Sequence, residues 1–272
     1  MKRPTHIIPI LLLLAGCVKQ ADWPMPEQPP DLVVVDATLT NEQKIQQVRI
    51  THAMAGLNEL PQPVTGAIVV VSDIDTSRTL VADTLRPGYY LTDSLFAAGL
   101  DNTYTLQIIV GEKSYSAQAS MVPGKVFNEL TYKKDPETGL FTIDWVASAF
   151  SNDFPAMWEV LADWSSVPGY ETQDPDSCRA RLLFYTLPTI DVSEIFAPIV
   201  EQVFFPGGTI LTERRYSLAP GHAGFLRELL LETNWQGSMF PTANANVMTN
   251  LSPGATGYFG VCAVTELSLV VK

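Results

Sequence analysis

The chain has 272 residues, 46% of them hydrophobic, with 29 acidic against 17 basic side chains and a net charge of −12. Such an acidic chain is unsuited to nucleic acid, where lysine and arginine must neutralise phosphates, and to docking by charge on an anionic bilayer. Its length and apolar content allow one large or two ordinary domains with real cores.

The first sixteen residues read as an export signal. Lys2 and Arg3 form a short positive region, residues 7–14 are apolar except for Pro9, and Leu14-Ala15-Gly16-Cys17 has the form of a lipobox. A charged start, an apolar run and a small-residue cleavage site define a secretory signal. The run is too short for a spanning helix, which needs about 20 residues. Cleavage before Cys17 and lipidation of its thiol are therefore expected, giving a membrane-attached protein with residues 1–16 removed. Val18 follows in place of the aspartate that retains lipoproteins at the inner membrane of enteric bacteria, so the expected location is the outer membrane, on either face. Residues 17–30 contain Pro24, Pro26, Pro29 and Pro30, and a proline-rich stretch of this kind forms an extended, semi-rigid tether.

Residues 31–122 read as about seven short strands with turns between them, and no helical period intervenes. Strands are expected at 32–39, 47–51, 67–72, 79–82, 89–92, 104–110 and 113–119. Turns are marked by Pro63-Val64-Thr65-Gly66, Pro87-Gly88 and Gly111-Glu112. This spacing predicts an immunoglobulin-like or transthyretin-like β-sandwich. Met121-Val122-Pro123-Gly124 breaks the pattern and marks a boundary.

Residues 123–272 read as a second β-rich domain, so the whole chain is expected to be mainly β. Strands are expected at 126–132, 140–145, 156–164 (paired with 140–145), 181–187, 199–205, 257–264 and 266–271. One amphipathic helix is expected at about 220–233. Ser217 is its expected cap, and Phe225, Leu226, Leu229 and Leu230 fall at helical spacing.

The search for chemistry finds little. Apart from Cys17 the cysteines are Cys178 and Cys262, which in an oxidising compartment are candidates for a disulfide; the alternative is two separate thiols, since Cys262 lies in a run that reads as core strand. Beyond the signal the histidines are His52 and His222. The His-Glu-x-x-His, Gly-x-Ser-x-Gly, Walker-type and paired Cys-x-x-Cys patterns are absent. No catalytic residue, metal site or cofactor is expected, and the chain reads as non-enzymatic. Glu171, Asp174 and Asp176, and separately Asp73 and Asp75, lack the count and spacing of a calcium site and read as solvated loops. Trp158 and Trp164, six apart, share a face suited to a core. Trp235, just after the helix, and Phe240 form a candidate partner surface.

The second part carries a resemblance. Arg215-Tyr216-Ser217-Leu218 leads into the Phe225-Leu226…Leu229-Leu230…Glu232-Thr233 helix, followed by Gly237…Phe240-Pro241, Asn246-Val247…Asn250-Leu251 and Gly257-Tyr258-Phe259-Gly260. With the Leu32-Val33-Val34 strand, Thr40-Asn41-Glu42 and Pro63-Val64-x-Gly66-Ala67-x-Val69, this series resembles the domain of unknown function 4249 family of Bacteroidota lipoproteins, over essentially the whole chain after the signal. The resemblance implies an outer-membrane lipoprotein that serves a TonB-dependent transporter as a binding or accessory subunit. An envelope hydrolase using carboxylates of the second domain, and a purely structural surface protein, are the alternatives. It brings no catalytic residues. For a chain of that phylum, Asp83-Thr84-Leu85 and Asp93-Ser94-Leu95 match an O-glycosylation pattern at Thr84 and Ser94.

Overall fold

The computed structural model describes residues 31–54, 59–148, 150–188, 202–233 and 247–272. The expected signal, Cys17, the tether, Trp235 and Phe240 lie outside these residues.

The fold is mainly β. Strand β1 (Val33–Thr40) alternates, with Val33, Val35, Ala37 and Leu39 turned inward, as a strand with one face on a core must. It pairs antiparallel with β2 (Gln47–His52), which pairs with β5 (Tyr89–Leu91). The facing layer runs β4 (Ser77–Ala82), β3 (Ile68–Ser72), β6 (Thr103–Val110), β7 (Lys113–Ser120). β4 belongs to both layers: Leu80 pairs with Val69 of β3, and Val81 and Ala82 then cross to β5. Leu39, Ile50, Val69, Leu106, Ile108 and Phe259 fill the space between the layers. Seven strands thus form the immunoglobulin-like sandwich.

Phe259 comes from the far end of the chain. Strand β13 (Ala255–Val270) is one continuous 16-residue strand where two short ones were expected. Its first half runs parallel to β1, from Val33↔Ala255 to Thr40↔Cys262. Its second half pairs antiparallel with β12 (Ile210–Ser217). A division at residue 122 leaves this strand wholly in the second part, yet it completes the first core. Leu251 bridges Ala117 on the outer edge of β7, so the opposite edge is covered from the same end of the chain.

The second layered unit holds β12 beside β10 (Ala156–Asp163), and β10 beside β11 (Arg179–Thr186). A hairpin of β8 (Thr131–Lys134) and β9 (Phe141–Trp145) lies across it. Trp158, Val160, Trp164, Phe205 and Leu211 pack between the two. Three expectations fail here. β10 pairs with β11 and β12 rather than with 140–145, because Trp158, Glu159 and Val160 are consecutively buried and β10 is a central strand. Of the expected strand at 199–205, residues 199–201 lie outside the described residues, and of the rest only Phe205 pairs, bridged to Phe141. And β12 itself was not expected, since Glu213, Arg214 and Arg215 interrupt its alternation.

Helix α1 (Pro220–Thr233) follows β12. Ser217 does not cap it: Ser217 ends β12 and its hydroxyl accepts from Arg215 at 2.5 Å. Pro220 opens the helix where a missing N–H costs nothing, and the Ala223 N–H donates to the Ala219 carbonyl at 2.9 Å. His222 and Phe225 stack on Tyr258 of β13, at ring-centre distances of 4.8 and 5.0 Å. This approach needs Gly260, where a Cβ would lie 2.5 Å from the His222 ring. Of the two readings of Cys178 and Cys262, the disulfide is absent and the separate thiols are present. Both are free, buried thiols in separate cores, Cys178 between the second sheet and the hairpin and Cys262 under α1.

Gly260→Ala should destabilise the protein by about 2 kcal/mol through overpacking under α1, read as a lowered urea midpoint. An unchanged midpoint would show that α1 is not seated by this contact.

Candidate functional site

Between β9 and the edge strand β11 the molecule opens into a groove of about 330 Å³. Ile143, Val203, Leu182 and Phe184 form an apolar wall, and Trp145 stands at the rim with 46% of its surface exposed. Lys133 and Asp144, 3.0 Å apart, supply a charge pair at the same rim, beside Gln202. The groove exists because β11 is the last strand of its sheet and β9 is paired on one side by β8, leaving an unfilled mouth over the second core. An apolar wall with a few polar groups is the general form of a ligand cleft.

On the opposite face of the same sheet lies a charged junction that sequence reading missed. Glu159 accepts from Arg181 at 2.5 Å, Arg214 at 2.8 Å and the Tyr216 hydroxyl at 2.9 Å. Arg214 also pairs with Glu42, which Lys44 reaches at 2.6 Å. Glu42 belongs to the β1–β2 loop, so the network ties the sandwich to the second sheet. The loop is held by the fully buried side chain of Gln46, which accepts from the Thr40 N–H at 3.1 Å and donates to the Glu42 and Phe96 carbonyls at 3.1 and 2.8 Å. Burial pushes the Glu159 pKa up, but hydrogen bonds from Arg181 and Tyr216 and the charges of Arg181 and Arg214 outweigh it and hold the carboxyl below its ordinary value. The only sequence signal was a charged run, Glu213-Arg214-Arg215, in an otherwise strand-like segment.

Neighbours in sequence, Glu213 and Arg215 point to the other face, into the second core, where both are buried. Glu213 accepts from the Leu130 N–H at 3.0 Å, and its Oε1 has no hydrogen-bond partner among the described residues. Burial, opposed by that N–H and reinforced by Glu129, raises its pKa to about 7. Arg215 lies over the Trp158 ring and donates to the Phe154 carbonyl at 3.2 Å.

His222 and Cys262 are also enclosed. His222 Nδ1 sits 3.7 Å from Cys262 Sγ; burial lowers the imidazole to about 4 and raises the thiol to about 12, so both are neutral and the thiol is not an activated nucleophile. His52 lies at the end of β2, far along the chain from this pair. Asp73 accepts from Asp75 and Thr76, Asp174 from Asp176, and Glu171 from Gly169. These carboxylates are thus committed to their own turns, and no group of three metal-binding side chains occurs among the described residues. Thr84 and Ser94 are both exposed. No described helix is long and apolar enough to cross a membrane.

The model of a family described as a domain of unknown function (DUF4249) matches residues 19–186. No curated protein matches the sequence. Among solved structures, the crystal structure of chicken CNTN1 FN1-FN3 domains is similar, with 11% identity, a TM-score of 0.28 and coverage of 69% of this chain. The chain spans 62% of that structure's length.

Arg214→Met should cost about 3 kcal/mol by leaving Glu159 and Glu42 without their shared partner; Glu159→Gln in the same chain should recover part of the loss, read by urea denaturation. The Glu213 and His222 shifts oppose one another in pH. A carboxyl whose folded pKa is raised contributes stability below the unfolded value of 4.5 that is lost as pH rises to about 7. An imidazole lowered to about 4 contributes stability above the unfolded value of 6.5 that is lost as pH falls. Glu213→Gln should therefore stabilise the protein at pH 8, by up to about 3 kcal/mol, and steepen the rise of stability between pH 4.5 and 6.5. A variant with the parent's pH profile would show that Glu213 is already ionised.

Proposed function

Because the chain belongs to the family defined by the domain of unknown function DUF4249, we propose that it is a non-enzymatic outer-membrane lipoprotein of a Bacteroidota cell envelope. It is anchored through acyl chains on Cys17 and serves a TonB-dependent transporter as a binding or accessory subunit. Residues 17–30 tether the folded part to the lipid, on the periplasmic or the outer face. The observation that carries the binding reading is the groove between β9 and β11, where Trp145, Phe184 and the Lys133–Asp144 pair meet at an open mouth. The enclosure of Cys178, Cys262 and His222 in cores also supports a role without covalent chemistry. Trp235 and Phe240 are proposed as a partner surface of their own, and exposed Thr84 and Ser94 as O-glycan acceptors.

The hydrolase alternative has one observation in its favour, the Glu213 carboxyl near pH 7. Its burial weighs against it, since a general acid must reach the leaving oxygen of a substrate.

The test is a mild-detergent pull-down of the tagged chain from its host, with mass spectrometry of what accompanies it. A stoichiometric β-barrel receptor is expected, retained by the parent and lost from membranes with Cys17→Ala. A partnerless lipidated protein would sink the accessory role. Retention of Cys17→Ala in the membrane fraction would sink the anchor.

A further inference from the structure

The outward face of the β4-β3-β6-β7 layer carries no charged side chain, in a chain of net charge −12. Alternation puts Val69, Leu106 and Ile108 in the core and their neighbours outside. The central outward row runs Thr79, Val70, Gln107, Ser116 across the four strands. Beside it Ile68 pairs with Ile109, 53% and 40% exposed. The remaining outward positions of these strands are serine, threonine, glutamine or aliphatic. Among the described residues, charges appear only at the ends of the face, with Asp73, Asp75 and Asp101 in the turns at one end and Glu112 and the Lys113–Asp31 pair at the hairpin end. The opposite layer differs: its outward side carries the Asp36–Arg49 cross-strand pair and, on β13, helix α1.

We propose that this uncharged face is a self-association surface on which two copies of the chain stack about a two-fold axis. Hydroxyl and amide side chains both donate and accept hydrogen bonds, so the face complements its own image. Two copies of an acidic chain repel one another wherever carboxylates are opposed, and this face lets them meet with none in the centre of contact. A cationic partner would gain more from the carboxylates at its ends, and an anionic one would need cations that the face lacks. Four strands about 4.8 Å apart and five to eight residues long present about 430 Å² per copy. The pair buries about 850 Å², below the size of stable specific interfaces and in the range of weak, transient ones, so the association is weak and gains from confinement to a membrane plane. Its geometry does not depend on the transporter role.

The test uses membranes from cells expressing the full-length chain with single cysteines at the centre of the face: Val70→Cys, Gln107→Cys and Ser116→Cys. The parent, whose Cys178 and Cys262 are buried, and Asp36→Cys, exposed on the other layer, are the references. On mild oxidation, at least one central cysteine should give a dimer band several-fold stronger than either reference. The yield should rise as salt goes from about 0.05 to 0.5 M and screens the end carboxylates. Gln118→Glu, nearly isosteric and on the same face, should lower the yield several-fold at low salt. Dimer no stronger than in Asp36→Cys, a yield that falls with salt, or a cross-linked band of another mass would each overturn the proposal.

Discussion

The rest of the structure depends on the backbone hydrogen bonding of β13. A strand of 16 residues gives its first half to one sheet and its second half to another, so two cores share one rigid element. Strand backbone must find partners on both sides when it is buried, and β13 finds β1 and β12 in succession. Gly257 permits this entry: its φ is +94°, and a Cβ there would lie 2.0 Å from the Val35 carbonyl oxygen. Only glycine takes that conformation and that approach without strain. The parallel pairing of β1 with a strand more than 200 residues away follows from this contact, and so does the position of α1, which rests on the side chains that β13 turns away from the first core.

The junction of Glu42, Arg214 and Glu159 is a second tie, of a different kind. Backbone pairing fixes the distance between the two units, and the ion pairs fix the angle of one against the other. Charges so far out of water bring little net stability even when well paired, because desolvation consumes most of the attraction. Their effect is geometric, since any rotation that separates Glu42 from Arg214 leaves charge poorly solvated. Gln46 makes the tie effective by holding the loop that presents Glu42. The groove lies across the sheet from this junction, so its two walls belong to a unit whose orientation on the sandwich is already set.

Much of the sandwich could be read from the sequence because its strands have one wet face. In β6 the residues Tyr104, Leu106 and Ile108 alternate with Thr103, Thr105 and Gln107, and the period is visible without structure. The second unit was harder to read where both faces are covered. β10 buries Trp158, Glu159 and Val160 in succession, so its partners could not be inferred from period. β12 carries a charge on each face, Arg214 on one and Glu213 and Arg215 on the other, and reads as a polar loop to any rule that assigns charge to solvent. The groove, built from β9 and β11, could not be seen before that pairing was known. The choice between a disulfide and two separate thiols stayed open because cysteine counting knows the compartment and not the distance. The helix was found within a residue or two, but its cap was misplaced because Ser217 still belonged to the strand before it.

The route of β13 also orders events in time. A chain is made from its N-terminus, so β1 is available long before its parallel partner has been made. Until residues 255–263 arrive, the sandwich lacks Phe259 and Val261 from its interior and presents an unpaired β1 edge. Long-range parallel pairing is slow to form, and exposed strand edges in partly folded chains invite aggregation. The first unit therefore waits, like the second, on the last strand of the chain, and a truncation before residue 255 damages the beginning of the molecule as well as its end. On the proposed route across one membrane to another, that delay would leave the chain dependent on holding factors throughout transit.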